Sequence, residues 1–319
     1  MILFHRAGHW AIIIFSLLLV PIVFNSCGGY ESADISSKIQ ESSSSTNETD
    51  QTTPPSGSET APSGEPEFSP DDQGWLVQRN FNQGTEGEKV ELGAGGSSRY
   101  SYDVSLDGSM AAKMSIRAGE TAFGQWGGIL NFDSPLTQGD KVWIQFYIYI
   151  PSSFIIETPT NGSLKFIRIR TQTSGGQNGG YNDLQMMDDN TGSNAVYRYI
   201  KEGPGARWTS VAQANQRSML LPRDRWFKVE VALSFDNVPT SDGGKSYFRM
   251  WVDDNLIWNG LDVNTLSRPD DLATALYLFT YWNGGAPQDQ SLYIDNIIMT
   301  SKVPSNTDNQ GHAFIGSPQ

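Results

Sequence analysis

The stretch Lys141 to Pro151, KVWIQFYIYIP, has the clearest strand pattern in the chain. Successive side chains of a strand point to opposite faces, so alternate positions of this stretch form two surfaces. One surface is apolar and consists of Val142, Ile144, Phe146, Ile148 and Ile150. The other carries Lys141, Trp143, Gln145, Tyr147 and Tyr149. The first surface is predicted to lie in a core, whereas the second is unlike the plain polar outer face of an ordinary antiparallel sheet.

Two interpretations of this aromatic face are open. Rings with an amide among them form a platform on which sugar rings stack by their apolar faces and hydrogen-bond by their polar edges. Alternatively, Tyr and Trp are present because they are good strand formers, and another element of the fold covers them. The platform interpretation requires this strand to lie in the same sheet as the arginine-bearing strand described below.

The N-terminus has the features of an export signal, predicted for residues 1–26. His5 and Arg6 precede an apolar run from Ala11 to Phe24, which is short for a membrane span and typical of a secretory signal. The only cysteine, Cys27, follows directly, and the arrangement resembles a bacterial lipoprotein signal. That resemblance implies lipidation of Cys27, attachment to a membrane through an N-terminal lipid anchor, and, because Gly28 follows, the bacterial outer membrane. The alternative is a buried free cysteine at the end of an uncleaved anchor helix.

Composition divides the rest of the chain into three parts. Residues 27–72 are rich in Ser, Thr, Pro and acids and have little to bury, which predicts a disordered tether. Residues 73–302 contain short alternating runs separated by Gly, Asn, Asp and Pro, which predicts one all-β domain, an antiparallel β-sandwich. Residues 303–319 form a C-terminal tail with a weak pattern. A net charge of -13 argues against nucleic acid as a partner.

Two further predicted strands carry candidate functional groups. In Ser163 to Gln172, SLKFIRIRTQ, strict alternation places Arg168, Arg170 and Gln172 on one face. In Ala195 to Lys201, AVYRYIK, it places Tyr197, Tyr199 and Lys201 on one face, and Gln185 lies in a short run between the two strands. The arginines are expected either to contact a ligand or to form salt bridges with neighbouring strands.

The second half of the chain resembles a known fold. The strands WFKVEV and FRMWVDDN, followed by FTYWNGG and LYIDN, look like the concanavalin A-like jelly roll, and the last two are similar to the closing strands of jelly-roll polysaccharide lyases. The run from Phe166 to Arg170 resembles the arginine-bearing strand of those enzymes. The resemblance covers about Lys141 to Ser301 and specifies fold better than activity.

The resemblance implies cleavage of a uronate polysaccharide by β-elimination, in which one group neutralises the carboxylate, a base removes the C5 proton and an acid protonates the leaving oxygen. The candidate catalytic residues are Arg168, Arg170, Gln185, Tyr147 and Tyr197. The candidate ligand-binding residues are Trp143, Gln145, Tyr149, Gln172, Tyr199 and Lys201. The domain contains no histidine, so the tyrosines are the expected proton-transfer groups, with pKa values lowered by nearby arginines.

Other chemistry has weaker support in the sequence. Glu230 has no acidic partner two positions away, which disfavours a jelly-roll glycoside hydrolase. We expect no cofactor, although Asp188 to Asn190 and Asp253 to Asn255 offer oxygen ligands for a structural calcium ion. The more usual role of such acidic pairs is a solvated turn.

Three functions therefore stay open: a polysaccharide lyase, a non-catalytic glycan-binding module, and an envelope scaffold or adhesion protein. The common prediction of the first two is a cell-envelope domain whose partner is an extracellular polysaccharide. An anionic polymer would be repelled by the net charge of -13 unless Arg168, Arg170, Arg198 and Lys201 form a local basic strip.

Overall fold

The computed structural model describes residues 66–69, 73–92, 98–121, 126–156, 163–188, 194–203, 207–208 and 216–317. The export signal 1–26, Cys27 and most of the tether 27–72 lie outside these ranges, so their assignment stays a prediction. Within the described ranges, no helix has the length and apolar character needed to cross a membrane. The regular structure there is β-sheet, apart from a 3₁₀ turn at Thr240–Asp242.

The strands belong to two sheets. The first sheet contains β1 (Leu76–Arg79), β2 (Arg99–Ser101), β3 (Ala111–Ile116), β5 (Lys141–Tyr149), β11 (Trp226–Ser234), β12 (Tyr247–Val252), β13 (Asn255–Gly260) and β15 (Gln290–Thr300). The second sheet contains β4 (Gly128–Leu136), β6 (Leu164–Gln172), β7 (Asn178–Asp188), β8 (Asn194–Gly203), β9 (Arg207–Trp208), β10 (Gln216–Leu220) and β14 (Leu272–Trp282).

The strands run antiparallel in the order β13-β12-β11-β5-β15-β3-β2 in the first sheet, where β1 also pairs with β15. The order in the second sheet is β10-β8-β7-β6-β14-β4, and β9 pairs with β8. Neighbours in this order are often distant in sequence, as in the pairing of β6 with β14. The predicted antiparallel jelly-roll sandwich is confirmed.

The core lies between the two sheets. The apolar side chains predicted for β5 are fully buried there, and Phe146 contacts Phe166 of the second sheet edge to face, with ring centres 6.1 Å apart. Phe146 also meets Phe279 of β14 at 6.1 Å. Burial of these rings and aliphatic chains is the main favourable term that holds the sheets together.

The C-terminal tail packs across the outer face of the first sheet. The Phe314 ring stacks on Trp251 with centres 5.7 Å apart, and the Trp143 indole nitrogen donates to the Ala313 carbonyl at 2.9 Å. The Glu230 carboxylate accepts backbone N–H bonds from Ile315 at 2.6 Å and Gly316 at 3.1 Å. The segment with the weak sequence pattern is therefore a packed element that covers the middle of β5.

Candidate functional site

The structure corrects the grouping of β5 with the arginines. The strand lies in the first sheet, and Arg168 and Arg170 lie in the second. Trp143 and Gln145 are buried under the C-terminal tail, each 2% exposed. A ligand platform on β5 required β5 and the arginines to share a sheet, and they do not. The alternative interpretation applies instead, because the C-terminal tail covers this face.

The two tyrosines of the same face also have environments unlike the predicted ones. Burial, reinforced by Asp254 and Asp253, raises the pKa of Tyr147 to about 12. Tyr149 packs edge to face against Trp226 and Tyr293, with ring centres 5.8 Å and 6.1 Å away. Burial raises the pKa of Tyr149 as well, so neither ring is prepared to act as a base by nearby positive charge.

The predicted face of β8 points into the core. The Tyr199 ring contacts Phe248 of the first sheet at 4.8 Å, and its hydroxyl donates to Asn182 Oδ1 at 2.7 Å. The Tyr197 ring packs against Phe166, and Lys201 Nζ donates to Thr171 Oγ1 at 2.8 Å. Burial raises the pKa values of both tyrosines. These three residues face away from the arginines, which is a second correction to the predicted site.

A β-bulge at Phe166 changes which residues of β6 share a face. The pairing with β7 shifts between Lys165 and Ile167, so Phe166 and Ile167 both enter the core. Lys165 therefore emerges on the same outer face as Arg168, contrary to strict alternation. By alternation beyond the bulge, Arg170 and Gln172 continue this face, as predicted.

Four strands bring one row of polar side chains together on that outer face. Lys165 of β6 is the cross-strand partner of Gln185 on β7 and of Tyr281 on β14, and Gln185 is the partner of Arg198 on β8. The row Arg198–Gln185–Lys165–Tyr281 thus crosses the middle of the second sheet. Gln185 is one of the predicted catalytic residues and Arg198 belongs to the predicted basic strip, whereas no sequence pattern singled out Lys165 or Tyr281.

Gln185 and Arg198 are bonded to each other and retain unused donors. Arg198 Nη2 donates to Gln185 Oε1 at 2.6 Å, and Ser163 Oγ donates to the same oxygen at 3.3 Å. Gln185 Nε2 and Arg198 Nε are buried and have no hydrogen-bond partner in the part of the chain that the structure describes. Because a buried unpaired donor is costly, these two donors on cross-strand neighbours can each take an acceptor that the described residues do not supply, such as a water molecule or a ligand.

A second row contains a closed ion network. Asp183 of β7 accepts Lys165 Nζ at 2.6 Å on Oδ2 and Arg168 Nε at 2.7 Å on Oδ1. Glu202 Oε2 accepts the same two cations, from Lys165 Nζ at 3.2 Å and from Arg168 Nη2 at 3.3 Å. Burial opposes ionisation of Asp183, but the charges of Arg168 and Lys165 outweigh it and hold the pKa of this carboxyl below its usual value.

Aromatic rings surround the network. The guanidinium carbon of Arg168 lies 3.6 Å from the centre of the Tyr181 ring, which packs against Tyr277 at 5.5 Å. Lys165 Nζ lies 5.8 Å from the centre of the Tyr281 ring. The second sheet thus has an aromatic outer face of its own, formed by β7 and β14, which is not the face predicted on β5.

The described residues contain no group of three or more His, Cys, Asp or Glu side chains arranged to hold a metal ion. Asp253 and Asp254 form ion pairs with Arg225 and Lys228, as in an ordinary polar turn. Asp189 and Asn190 of the other candidate calcium site lie outside the described residues.

Several solved structures are similar to this chain, and the first one reported supports the fold. An alginate lyase, Aly36B, solved as a double mutant with an alginate tetrasaccharide, aligns with a TM-score of 0.50 and 15% identity, over 70% of this chain and 96% of its own. An endo-β-1,4-glucuronan lyase from the fungus Trichoderma reesei aligns with a TM-score of 0.48 and 13% identity, over 70% of this chain and 94% of its own. An alginate lyase, vAL-1, from Chlorella virus has a TM-score of 0.46 and 14% identity, over 65% and 90%.

Sequence comparison identifies the family. No curated protein sequence matches the chain. The family described as Polysaccharide lyase, however, matches residues 74–298, which include both sheets except the last two residues of β15, and every residue of the row across β8, β7, β6 and β14. By this match the chain belongs to the polysaccharide lyase family.

Proposed function

We propose that the chain cleaves an acidic, uronate-containing polysaccharide by β-elimination, at the row Arg198–Gln185–Lys165–Tyr281. The observation that carries the proposal is the pair of buried, unused donors on Gln185 and Arg198 in the same row as a cation and a partly exposed tyrosine. Membership of the polysaccharide lyase family supports the class of reaction.

Each member of the row has a role in this reaction. The uronate carboxylate accepts from Gln185 Nε2 and Arg198 Nε, which disperses the charge that develops when the C5 proton leaves. The Tyr281 hydroxyl oxygen takes that proton and passes its own hydroxyl proton to the leaving oxygen. The electron pair of the C5–H bond forms the C4=C5 double bond as the C4–O bond breaks. Lys165, on the neighbouring strand, supplies a fixed positive charge beside the Tyr281 ring.

The local charge fits an anionic substrate despite the net charge of -13. The outer face of β6 to β8 carries four cations, Lys165, Arg168, Arg170 and Arg198, against two carboxylates, Asp183 and Glu202. This leaves an excess of two positive charges. Because charges beyond about 10 Å are largely screened at ordinary ionic strength, the local excess governs binding more than the distant acids.

The test is to incubate the purified full-length chain with alginate, glucuronan and other uronate polymers, with neutral dextran as a control, and to follow absorbance of the unsaturated product. We expect product from at least one uronate polymer and none from dextran. Gln185→Ala should lower kcat/KM by about 100-fold, as loss of one preorganised donor does. Tyr281→Phe should lower it by at least about 100-fold, since it removes the proton carrier.

Tyr102→Phe is the matched control, because Tyr102 is exposed and lies outside this sheet, and its activity should equal that of the wild type. Retention of a polymer on the chain without any product would replace the lyase by a glycan-binding module. Failure to bind or cleave any polymer would favour an envelope scaffold. Full activity of Tyr281→Phe would refute the assignment of the proton carrier.

A further inference from the structure

Asp183 is an acceptor-only carboxylate whose two oxygens are both bonded to cations, so it is not a contact for an acidic polymer. Its side chain is fully buried on the outer half of the second sheet, directly across from Arg168. Each of its oxygens accepts from a different cation, Oδ2 from Lys165 and Oδ1 from Arg168. One carboxylate therefore fixes two long, cationic side chains from the neighbouring strand.

Glu202 closes the network from the next strand but holds it less firmly. Its Oε2 accepts both cations at 3.2 Å and 3.3 Å, longer than the 2.6 Å and 2.7 Å distances to Asp183. Its side chain is 13% exposed, whereas that of Asp183 is 0% exposed. Water weakens an exposed ion pair, so Asp183 is the stronger of the two anchors.

The consequences differ for the two cations. Arg168 uses Nε and Nη2 within the network, and its guanidinium carbon lies 3.6 Å from the centre of the Tyr181 ring, so its position is fixed by the network and the ring. Lys165 is held on the side of Tyr281, the proton carrier proposed above. A lysine side chain has a flexible four-carbon stem, so an ammonium group without an anchor would sample many positions.

We infer that Asp183 is a positioning residue of the site: without contacting the polysaccharide, it holds the Lys165 ammonium beside Tyr281 and the Arg168 guanidinium against Tyr181. This inference rests on the proposed function. Arg168 was the first candidate to contact the uronate carboxylate, and it now has a role inside the ion network. The contact to the uronate carboxylate is left to Gln185 and Arg198.

The experiment separates kcat from KM in the full-length chain. Asp183→Asn preserves the shape of the side chain and removes its charge, so we expect kcat to fall by about 100-fold, the usual effect of a small misplacement of a reacting group. KM should change by less than about threefold, because Gln185 and Arg198 are untouched. Glu202→Gln, the matched variant on the exposed side of the network, should lower kcat by about tenfold or less.

The double variant Lys165→Met/Asp183→Asn keeps the inference falsifiable if Asp183→Asn alone folds poorly, because it removes one of the two cations that Asp183 pairs with, together with the anion. If Asp183 acts through Lys165, kcat of the double variant equals that of Lys165→Met alone. Losses that multiply, or a lower melting temperature with unchanged kcat, would overturn the inference. A wild type without product on any uronate polymer would refute the proposed function and this inference together, whereas an active wild type with a fully active Asp183→Asn refutes only the positioning role.

Discussion

Replacing Glu230 by alanine should release the C-terminal tail and lower the stability of the domain. Glu230 lies on β11 beneath the tail and is 1% exposed. It accepts N–H bonds from Ile315 and Gly316. With the Gln145 amide assigned in the orientation that pairs donors with acceptors, its nitrogen lies 3.2 Å from Glu230 Oε2 and 2.9 Å from the Gly316 carbonyl oxygen. Alanine leaves all three donors without this acceptor.

The expected loss follows from these contacts. A buried donor that loses its partner costs about 1–3 kcal/mol, and movement of the tail towards water recovers part of that cost. For three donors we expect a net loss of about 4 kcal/mol in the free energy of unfolding. In a domain of roughly 230 residues, a loss of 1 kcal/mol lowers the melting temperature by about 2–4 °C, so the midpoint should fall by about 10 °C.

The assay combines thermal denaturation with amide hydrogen exchange in the full-length chain. The amides of Ile315 and Gly316 should exchange much faster in Glu230→Ala than in the wild type, because their acceptor is gone. Glu88→Ala removes an exposed carboxylate and should change the midpoint by less than about 2 °C. A midpoint within 2 °C of the wild type, with both tail amides still protected, would show that the tail is not held by this carboxylate.

Two further predictions concern pH and the backbone. Burial raises the pKa of Glu230 to about 8, so the folded chain keeps a proton that the unfolded chain releases from about pH 4.5 upward. The stabilisation from this group is therefore fully present below pH 4.5 and is lost as the pH rises to about 8. Across this window the melting temperature of the wild type should fall relative to that of Glu230→Gln. Melting temperatures that change in parallel with pH would contradict the prediction. Gly180→Ala should destabilise the chain by at least about 2 kcal/mol, because φ is +90° and an added Cβ would lie 1.8 Å from the Glu202 carbonyl oxygen. Gly176→Ala, with φ of +80° and open space around the added carbon, is the control for φ alone, and an equal loss of stability in urea denaturation would rule out the clash.

Local alternation predicted which side chains of β5 are buried in the core, but it did not predict the sheet to which the strand belongs. Alternation in β5 correctly assigned its aliphatic residues to the core, because side-chain direction in a strand depends only on the strand itself. The sheet to which β5 belongs depends on its pairing with β11 and β15, which lie about 80 and 150 residues later in the chain. Local pattern carries no information about such distant partners, so it could not decide whether Trp143 and Tyr147 share a sheet with Arg168.

The C-terminal tail contains a sequence signal for burial that is too short to identify an element of secondary structure. Phe314 and Ile315 are adjacent apolar residues in an otherwise polar segment, and both are buried. Two residues cannot establish a period of two or of 3.6, so pattern analysis gives them no element. Their role becomes clear only when Trp251 and Glu230 are seen beneath them.

The row that carries the proposed reaction depends on a matched irregularity of two strands. Between Lys165 and Ile167 of β6 there is one residue, Phe166, whereas between their partners Tyr281 and Leu278 of β14 there are two. The second strand absorbs its extra residue at Phe279, which has a positive φ of 50° and is buried in the core. A one-residue change of register reverses every side chain beyond it, so with regular pairing Lys165 would turn away from the face of Arg168.

The adjacent apolar pair Phe166–Ile167 is the local sign of this bulge in the sequence. An apolar pair within an alternating strand is therefore evidence about the face of the residues on either side, and here it decides that Lys165, and not only Arg168, belongs to the site.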